Sequence, residues 1–278
     1  MVQLYETLKE RHGVMVVGPP ASAKTTTIKT LAKALSLFDP NKPIVLEIIN
    51  PKTITSGQLI GSLDPASREW SDGLLSLALR RGKRERCWLV LDGPADASWV
   101  EDLNTALDDS RKLCLPSGET LPLPTHMAVI FEVLDLSQAS PASVSRCGVV
   151  YVGSSTLSWP ALLHAWLHSH SEAAWWKEYS PLIQDLATWI LPPILTFVLH
   201  QCTHLLPASE ISLVRSLFPL MDTIVQDALQ DATVSQKDSA KLGPTWTTAA
   251  FLSALTWSLG GGSRPPPRRP SVNSSGGW

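Results

Sequence analysis

Lys24 and Thr25 close the stretch Gly18-Pro19-Pro20-Ala21-Ser22-Ala23-Lys24-Thr25, and their types and spacing point directly to phosphate chemistry. The stretch follows the phosphate-loop pattern G-x-x-x-x-G-K-[ST], except that Ala23 stands where the second glycine is expected. In such a loop successive backbone amides surround an anion, and the N-terminus of the next helix adds positive potential. The lysine reaches the β- and γ-phosphates of a nucleotide, and the hydroxyl ligates Mg²⁺. Ala23 keeps its amide but carries a methyl group where the backbone needs a left-handed conformation. That conformation costs a non-glycine residue about 1–2 kcal/mol, enough to weaken binding roughly tenfold.

A second acid-bearing segment follows at a suitable distance. Leu89-Val90-Leu91-Asp92 is an apolar run ending in a carboxylate. It has the form of the strand whose terminal Asp holds Mg²⁺, with a plain strand-end cap as the minority reading. Hydrolysis also needs a group that orients or activates water, often a glutamate just after this Asp. Here Gly93 and Pro94 follow, and neither does acid–base work; Asp96 and Glu101 are near in sequence only. Asp135, beyond Phe131-Glu132-Val133-Leu134, is the polar residue expected to sense the γ-phosphate. Arg146 precedes the next apolar run, where an oligomeric ATPase places an arginine directed at a neighbour's nucleotide. An ordinary surface ion pair is the alternative for Arg146.

The elements that must position these residues are legible as apolar runs. Val14 to Val17, Ile44 to Ile49, Cys87 to Asp92, Met127 to Val133 and Gly148 to Val152 read as strands, the first buried on both faces of a parallel sheet. Leu4 to Arg11, stopped by Gly13, and about Thr25 to Leu35 read as helices. Thr55 or Ser56 caps a short helix, Leu74 to Ala78 begins another, and Trp99, Leu103 and Leu107 share one helical face. Ser117-Gly118-Glu119 is a hairpin turn within Leu113 to Leu123. Alternation of strands and helices predicts an α/β domain over 1–152. Helical periodicity then dominates 153–260, through Leu162 to Leu167, Leu182 to Ile190 and Leu213 to Ile224, and predicts a helical subdomain. Its tryptophans read as core packing or interface anchors. From 261 to 278 the chain is rich in Pro, Gly and Ser and is expected to be disordered.

With 278 residues, 44% of them hydrophobic, the chain is long enough for a sizeable core. A net charge of −2 gives no global field for nucleic acid or an anionic membrane. The four cysteines show no C-x-x-C pairing, so reduced thiols are expected rather than a disulfide framework or zinc site. No secretory signal opens the sequence, and the apolar stretch from Leu182 to Leu199, interrupted by Asp185, Pro192 and Pro193, is a poor membrane span. The run Arg80 to Arg86 is a solvated basic loop, with a phosphate-binding patch as the minority reading.

These residues resemble the second AAA+ module of dynein heavy chains. The likeness rests on Gln3-Leu4-Tyr5-Glu6, Arg11-His12-Gly13, the phosphate loop, Asn50-Pro51-Lys52, Glu69-Trp70-Ser71-Asp72-Gly73 and Asp92-Gly93-Pro94-Ala95-Asp96-Ala97. It continues in Asn104-Thr105-Ala106-Leu107-Asp108-Asp109, Phe131-Glu132-Val133, Ser140 to Gly148 and Thr256-Trp257-Ser258-Leu259-Gly260, and covers roughly residues 2 to 260. The resemblance implies a P-loop AAA+ parallel sheet flanked by helices, followed by a small helical subdomain. It implies one module of a ring in a minus-end-directed microtubule motor, with intermediate and light chains as partners, in cytoplasm, cytoskeleton, cilium or flagellar axoneme. No nucleic acid or membrane partner is implied. In that family the second module binds ATP with Mg²⁺ without being the main hydrolytic site, so this module is expected not to hydrolyse. Gly18, Pro19, Pro20, Ala21, Ser22, Ala23, Lys24, Thr25, Asp92 and Asp135 fall on the nucleotide site, Thr25 and Asp92 on the Mg²⁺ positions. Arg146 falls on the finger directed at the first module. The family usually has glycine where this chain has Ala21 and Ala23, which leaves a degenerate P-loop serving as a scaffold as the alternative. Without linker or stalk this stretch is expected to be a fragment, an isoform or part of a degenerate dynein-like protein.

Overall fold

The computed structural model describes residues 1–64, 66–82, 85–153, 157–205, 208–230 and 236–264. They fall into two compact units, Met1–Thr156 and Leu157–Trp278.

The first unit is built on five parallel strands, β1 (Gly13–Val17), β2 (Ile44–Ile49), β3 (Arg86–Asp92), β4 (Ala128–Val133) and β5 (Gly148–Tyr151), in the order β2-β3-β4-β1-β5. β1 and β4 are buried along their whole length, because helices cover both faces. Alternation divides their side chains. Met15, Val17, Leu89, Leu91, Phe131 and Val133 pack on one face with Leu59, Leu75, Trp99 and Leu107. Val14, Val16, Trp88, Val90 and Ile130 pack on the other with Leu4, Ile28 and Leu31. Leu4 comes from α1 (Val2–Glu10) and Ile28 and Leu31 from α2 (Lys24–Phe38), so α2 lies on this second face.

α1 ends at Glu10, with Arg11 extended, before Gly13 is reached; Gly13 begins β1, where a Cβ would meet Leu107 Cδ2 at 2.6 Å. Thr55 caps Ser56–Leu59 through a capping box with Gln58, and α3 spans Leu74–Arg81. Lys112–Cys114 and Thr120–Pro122 form the hairpin about Ser117-Gly118-Glu119. The face of Trp99, Leu103 and Leu107 is buried, but three short helical pieces carry it: Ala97–Val100, the 3-10 turn Glu101–Leu103 and Asn104–Leu107. In the basic run Arg80 pairs with Asp72 (2.8 Å) and Glu119 (2.6 Å), and Arg81 with Glu47 (3.5 Å). Lys83 and Arg84 lie outside the described residues.

The second unit is helical: α5 (Trp159–Ser169), α6 (Ala174–Gln201), α7 (Glu210–Gln230) and α8 (Gln236–Gly260). In its core Ile183, Ala187, Leu191, Leu195 and Val198 form one stripe of α6, packed with Val214, Leu217 and Met221 of α7 and Phe251 and Ala254 of α8. Among the described residues Trp175–Gln201 is long and apolar enough to cross a membrane, by length and composition only. Pro192 and Pro193 do not interrupt α6. Trp166 stacks on Phe218 at 4.9 Å and donates its indole N–H to Asp222, while Trp189 and Trp257 are exposed. Within the stretch from 261 expected to be disordered, Ser263 and Arg264 are paired. Ser263–Arg264 pairs antiparallel with Thr203–His204, and Ser263 Oγ donates to Leu259 O, because backbone pairing there outweighs the glycine-rich composition. Residues 265–278 lie outside the described residues.

Candidate functional site

The phosphate loop leaves the C-terminal end of β1 and enters α2. Gly18 sits where the chain turns away from the sheet: its N–H donates to Val133 O at 3.2 Å, and a Cβ there would lie 2.1 Å from Val152 O. No side chain fits that approach. Ala23 is left-handed (φ 68°, ψ 27°), and Ala21 shares the conformation (φ 61°). The loop therefore takes the backbone shape that glycines normally supply, at two alanines. Ala23 is the N-cap of α2, and the first intrahelical bond runs from Thr27 N–H to Ala23 O at 2.9 Å. The amides of Lys24, Thr25 and Thr26 thus precede the helix's own bonding and face outward as donors. Pro19 and Pro20 add none, since proline lacks an N–H.

Lys24 Nζ donates to Gly18 O (2.5 Å) and Pro19 O (3.0 Å), so the ammonium lies over the loop. Ser22 Oγ is buried without a partner. The C-terminal ends of β3 and β4 complete a cleft of about 370 Å³, lined among others by Pro20, Lys24, Asp92, Glu132 and Asp135. Asp92 is exposed at the end of β3, followed by Gly93 and Pro94. Arg146 is not among the cleft's lining residues.

Three of the residues raised from the sequence are held by partners of their own. Asp135 lines the cleft, but it is exposed and accepts from the N–H (2.9 Å) and hydroxyl of Ser137; these bonds hold its carboxyl below the usual range. It caps its own turn. Asp96 is engaged elsewhere: Lys52 Nζ donates to it at 2.6 Å, it caps Ala97–Val100, and the two interactions lower its pKa to about 2. Arg146 ends α4 (Pro141–Arg146); its Nε meets Asp108 and its Nη1 donates to Ala142 O at 2.8 Å, a half-buried ion pair within the unit.

The acid that the sequence reading missed is Glu132. It is 7% exposed within β4, and Thr25 Oγ1 donates to its Oε1 at 2.6 Å. Its Oε2 is buried without a partner. In the parallel register Asp92 is level with Glu132, and Val16 lies level with Glu132 on the opposite side. Alternation puts Asp92 and Glu132 on the face that carries Val90 and Ile130, the face covered by α2. The signal was present as a single acid inside the apolar run Ala128-Val129-Ile130-Phe131-Glu132-Val133.

The site fits a nucleotide phosphate with its divalent ion. Free amides at the N-terminus of α2 and the Lys24 ammonium suit the anion. The Thr25 hydroxyl, the exposed Asp92 carboxylate and the orphaned Glu132 oxygen are the hard oxygen donors that Mg²⁺ takes.

Comparison with known proteins points to the same fold. The AAA domain of the dynein-related subfamily matches residues 13–147, and the dynein heavy chain AAA lid domain matches 183–269. The chain is 42% identical over 274 residues to dynein axonemal heavy chain 12 of Mus musculus, 38% over 275 residues to dynein axonemal heavy chain 3 of Mus musculus and 35% over 275 residues to dynein axonemal heavy chain 6 of Homo sapiens. Each alignment takes in 94% of this chain but only 9%, 7% and 6% of those relatives, so the chain spans less than a tenth of their length. With a phosphate-loop sheet of the first kind and a lid of the second, this chain belongs to the dynein-related AAA family, as a dynein heavy-chain AAA module.

Proposed function

We propose that this chain is the second AAA+ module of an axonemal dynein heavy chain, and that it binds ATP with Mg²⁺ in a structural role without hydrolysing it. The observation that carries the reading is the contrast between an intact cradle and a missing base. The loop holds its left-handed turns despite Ala21 and Ala23, Lys24 and Asp92 line the cleft beside it, and the Thr25 hydroxyl is held on Glu132. After Asp92 come Gly93 and Pro94, the nearby Asp96 is bound to Lys52, and Glu132 is tied to Thr25 on the metal side. Arg146, at the end of α4, is the group offered to the neighbouring module's nucleotide. Its ion pair with Asp108 holds it in place until that contact forms. The parent protein is then a minus-end-directed microtubule motor of the cilium or flagellum, with a ring of such modules and the dynein intermediate and light chains as partners.

The alternative is a scaffold module that no longer binds nucleotide. Lys24 favours it, because its ammonium is already satisfied by two loop carbonyls. Thermal melting separates the two, since a ligand of the native state raises the midpoint. ATP at 100 times its Kd stabilises by about 2.7 kcal/mol, and we expect a clear upward shift with Mg²⁺ and no release of phosphate. An unmoved midpoint at millimolar Mg²⁺·ATP supports the scaffold, and phosphate release supports a hydrolysing module.

A further inference from the structure

The bond from Thr25 accounts for only one of the two carboxylate oxygens of Glu132. Glu132 is a carboxylate in the central part of a parallel sheet, 7% exposed, with one oxygen held by the Thr25 hydroxyl and the other buried without a partner. An unpaired buried polar atom costs free energy that the fold must recover elsewhere. A second carboxylate, Asp92, lies level with it on the adjacent strand and on the same face, one strand spacing away, about 4.8 Å between backbones. Two carboxylates on one face at neighbouring strand ends favour a cation placed between them. Both line the cleft with Lys24. Among the described residues no group of three or more His, Cys, Asp or Glu side chains gathers to hold a metal ion. Two carboxylates and a hydroxyl are too few donors for a cation that takes six oxygens, and water and phosphate oxygens are the donors that complete such a set.

We propose that Glu132 is a positioning carboxylate of the nucleotide–metal site, holding the Thr25 hydroxyl in place and adding a second negative charge beside Asp92, so that this module takes a nucleoside triphosphate only as its divalent-metal complex. This rests on the nucleotide-binding reading above. Metal-free triphosphate meets two like charges at the mouth of the loop. The metal complex brings a cation between the two acids, where it offsets the unpartnered charge at the buried Oε2.

The test is a titration of the full chain with a fluorescent ATP analogue, once in EDTA and once across a Mn²⁺ series, with free Mn²⁺ followed by electron paramagnetic resonance. Wild type is expected to bind at least about a hundredfold more tightly with metal than without, and Glu132→Gln to shrink that ratio by about tenfold or more, because a charge within 4–6 Å is worth one to three decades. Glutamine keeps an acceptor for Thr25 and nearly the same shape, and unchanged circular dichroism verifies its fold. Glu132→Asp, which retains the charge, is expected to retain the metal dependence, and it carries the test if the glutamine variant does not fold. An undiminished metal dependence in Glu132→Gln, with nucleotide still bound, overturns the role of Glu132 and leaves nucleotide binding standing. No binding by wild type in either medium overturns both.

Discussion

At the scale of residues, Ala23 carries backbone strain at the centre of the loop. Its φ of 68° is a left-handed conformation that costs roughly 1–2 kcal/mol in a residue with a Cβ. Glycine relieves that cost and returns about 0.4–1 kcal/mol through its freer unfolded chain. Ala23→Gly is therefore expected to raise stability by about 0.5–1 kcal/mol, a melting shift of about 2 °C, and to tighten nucleotide binding. A lowered midpoint would show that the methyl group is packed rather than strained. His12 makes a second prediction. Its ring is buried, and Nε2 lies 3.0 Å from Ala106 O; a carbonyl only accepts, so Nε2 carries the proton. Burial, then the nearby Arg111 charge, lower its pKa below 6.5. The unfolded chain therefore takes up a proton before the folded one does. Stability from this group is fully present above about pH 6.5 and is lost as pH falls through the depressed folded value. A melting midpoint that falls below pH 6.5 in wild type, and falls less in His12→Gln, is the expected record. At this scale Lys24, Thr25 and Asp92 were legible because motif spacing is local. Glu132 was not, because its meaning comes from register with Asp92 on a strand about forty residues away.

At the scale of elements, the five strands were legible because each is a short apolar run bounded by Gly, Pro or charged residues. Their order was not, since strand neighbours in a parallel sheet are set by crossovers rather than by sequence adjacency. The segment from Ala97 to Leu107 shows what periodicity cannot resolve. Its apolar face is helical in spacing, yet Glu101–Leu103 tightens to a 3-10 turn between two single turns of α-helix. Likewise Pro192 and Pro193 are breakers by local rule, but the buried stripe from Ile183 to Val198 keeps α6 continuous. Gly18 joins three elements at once: β1, which it ends, β4 through Val133 O, and the chain after β5 through Val152. Gly18→Ala forces a Cβ to 2.1 Å from a backbone oxygen that cannot swing aside. We expect a loss of about 2 kcal/mol by denaturant unfolding, together with loss of nucleotide binding. An unchanged midpoint and affinity would mean that the strand ends are looser than their hydrogen bonds imply.

At the scale of the whole molecule, each unit has its own core, and each can be probed separately. Leu191 is fully buried in the helical unit, so Leu191→Ala is expected to cost about 2–5 kcal/mol, read as a lowered melting midpoint. Cysteine chemistry follows burial: desolvation pushes the Cys87 thiol up to about 11 and Cys147 up to about 12, while Cys114 is exposed. A maleimide is expected to modify Cys114 first, with Cys87 and Cys147 protected until unfolding. The division into a sheet domain and a helical part could be read from the change of period near residue 153. We propose that the loop from Gly18 to Thr25 holds ATP with Mg²⁺. The most direct test is titration of the chain with a fluorescent ATP analogue in Mg²⁺, with Lys24→Ala alongside. Saturable binding by wild type that weakens by about tenfold or more in Lys24→Ala, the scale of one charge at close range, is the predicted result. Equal, weak signals from the two proteins would contradict it.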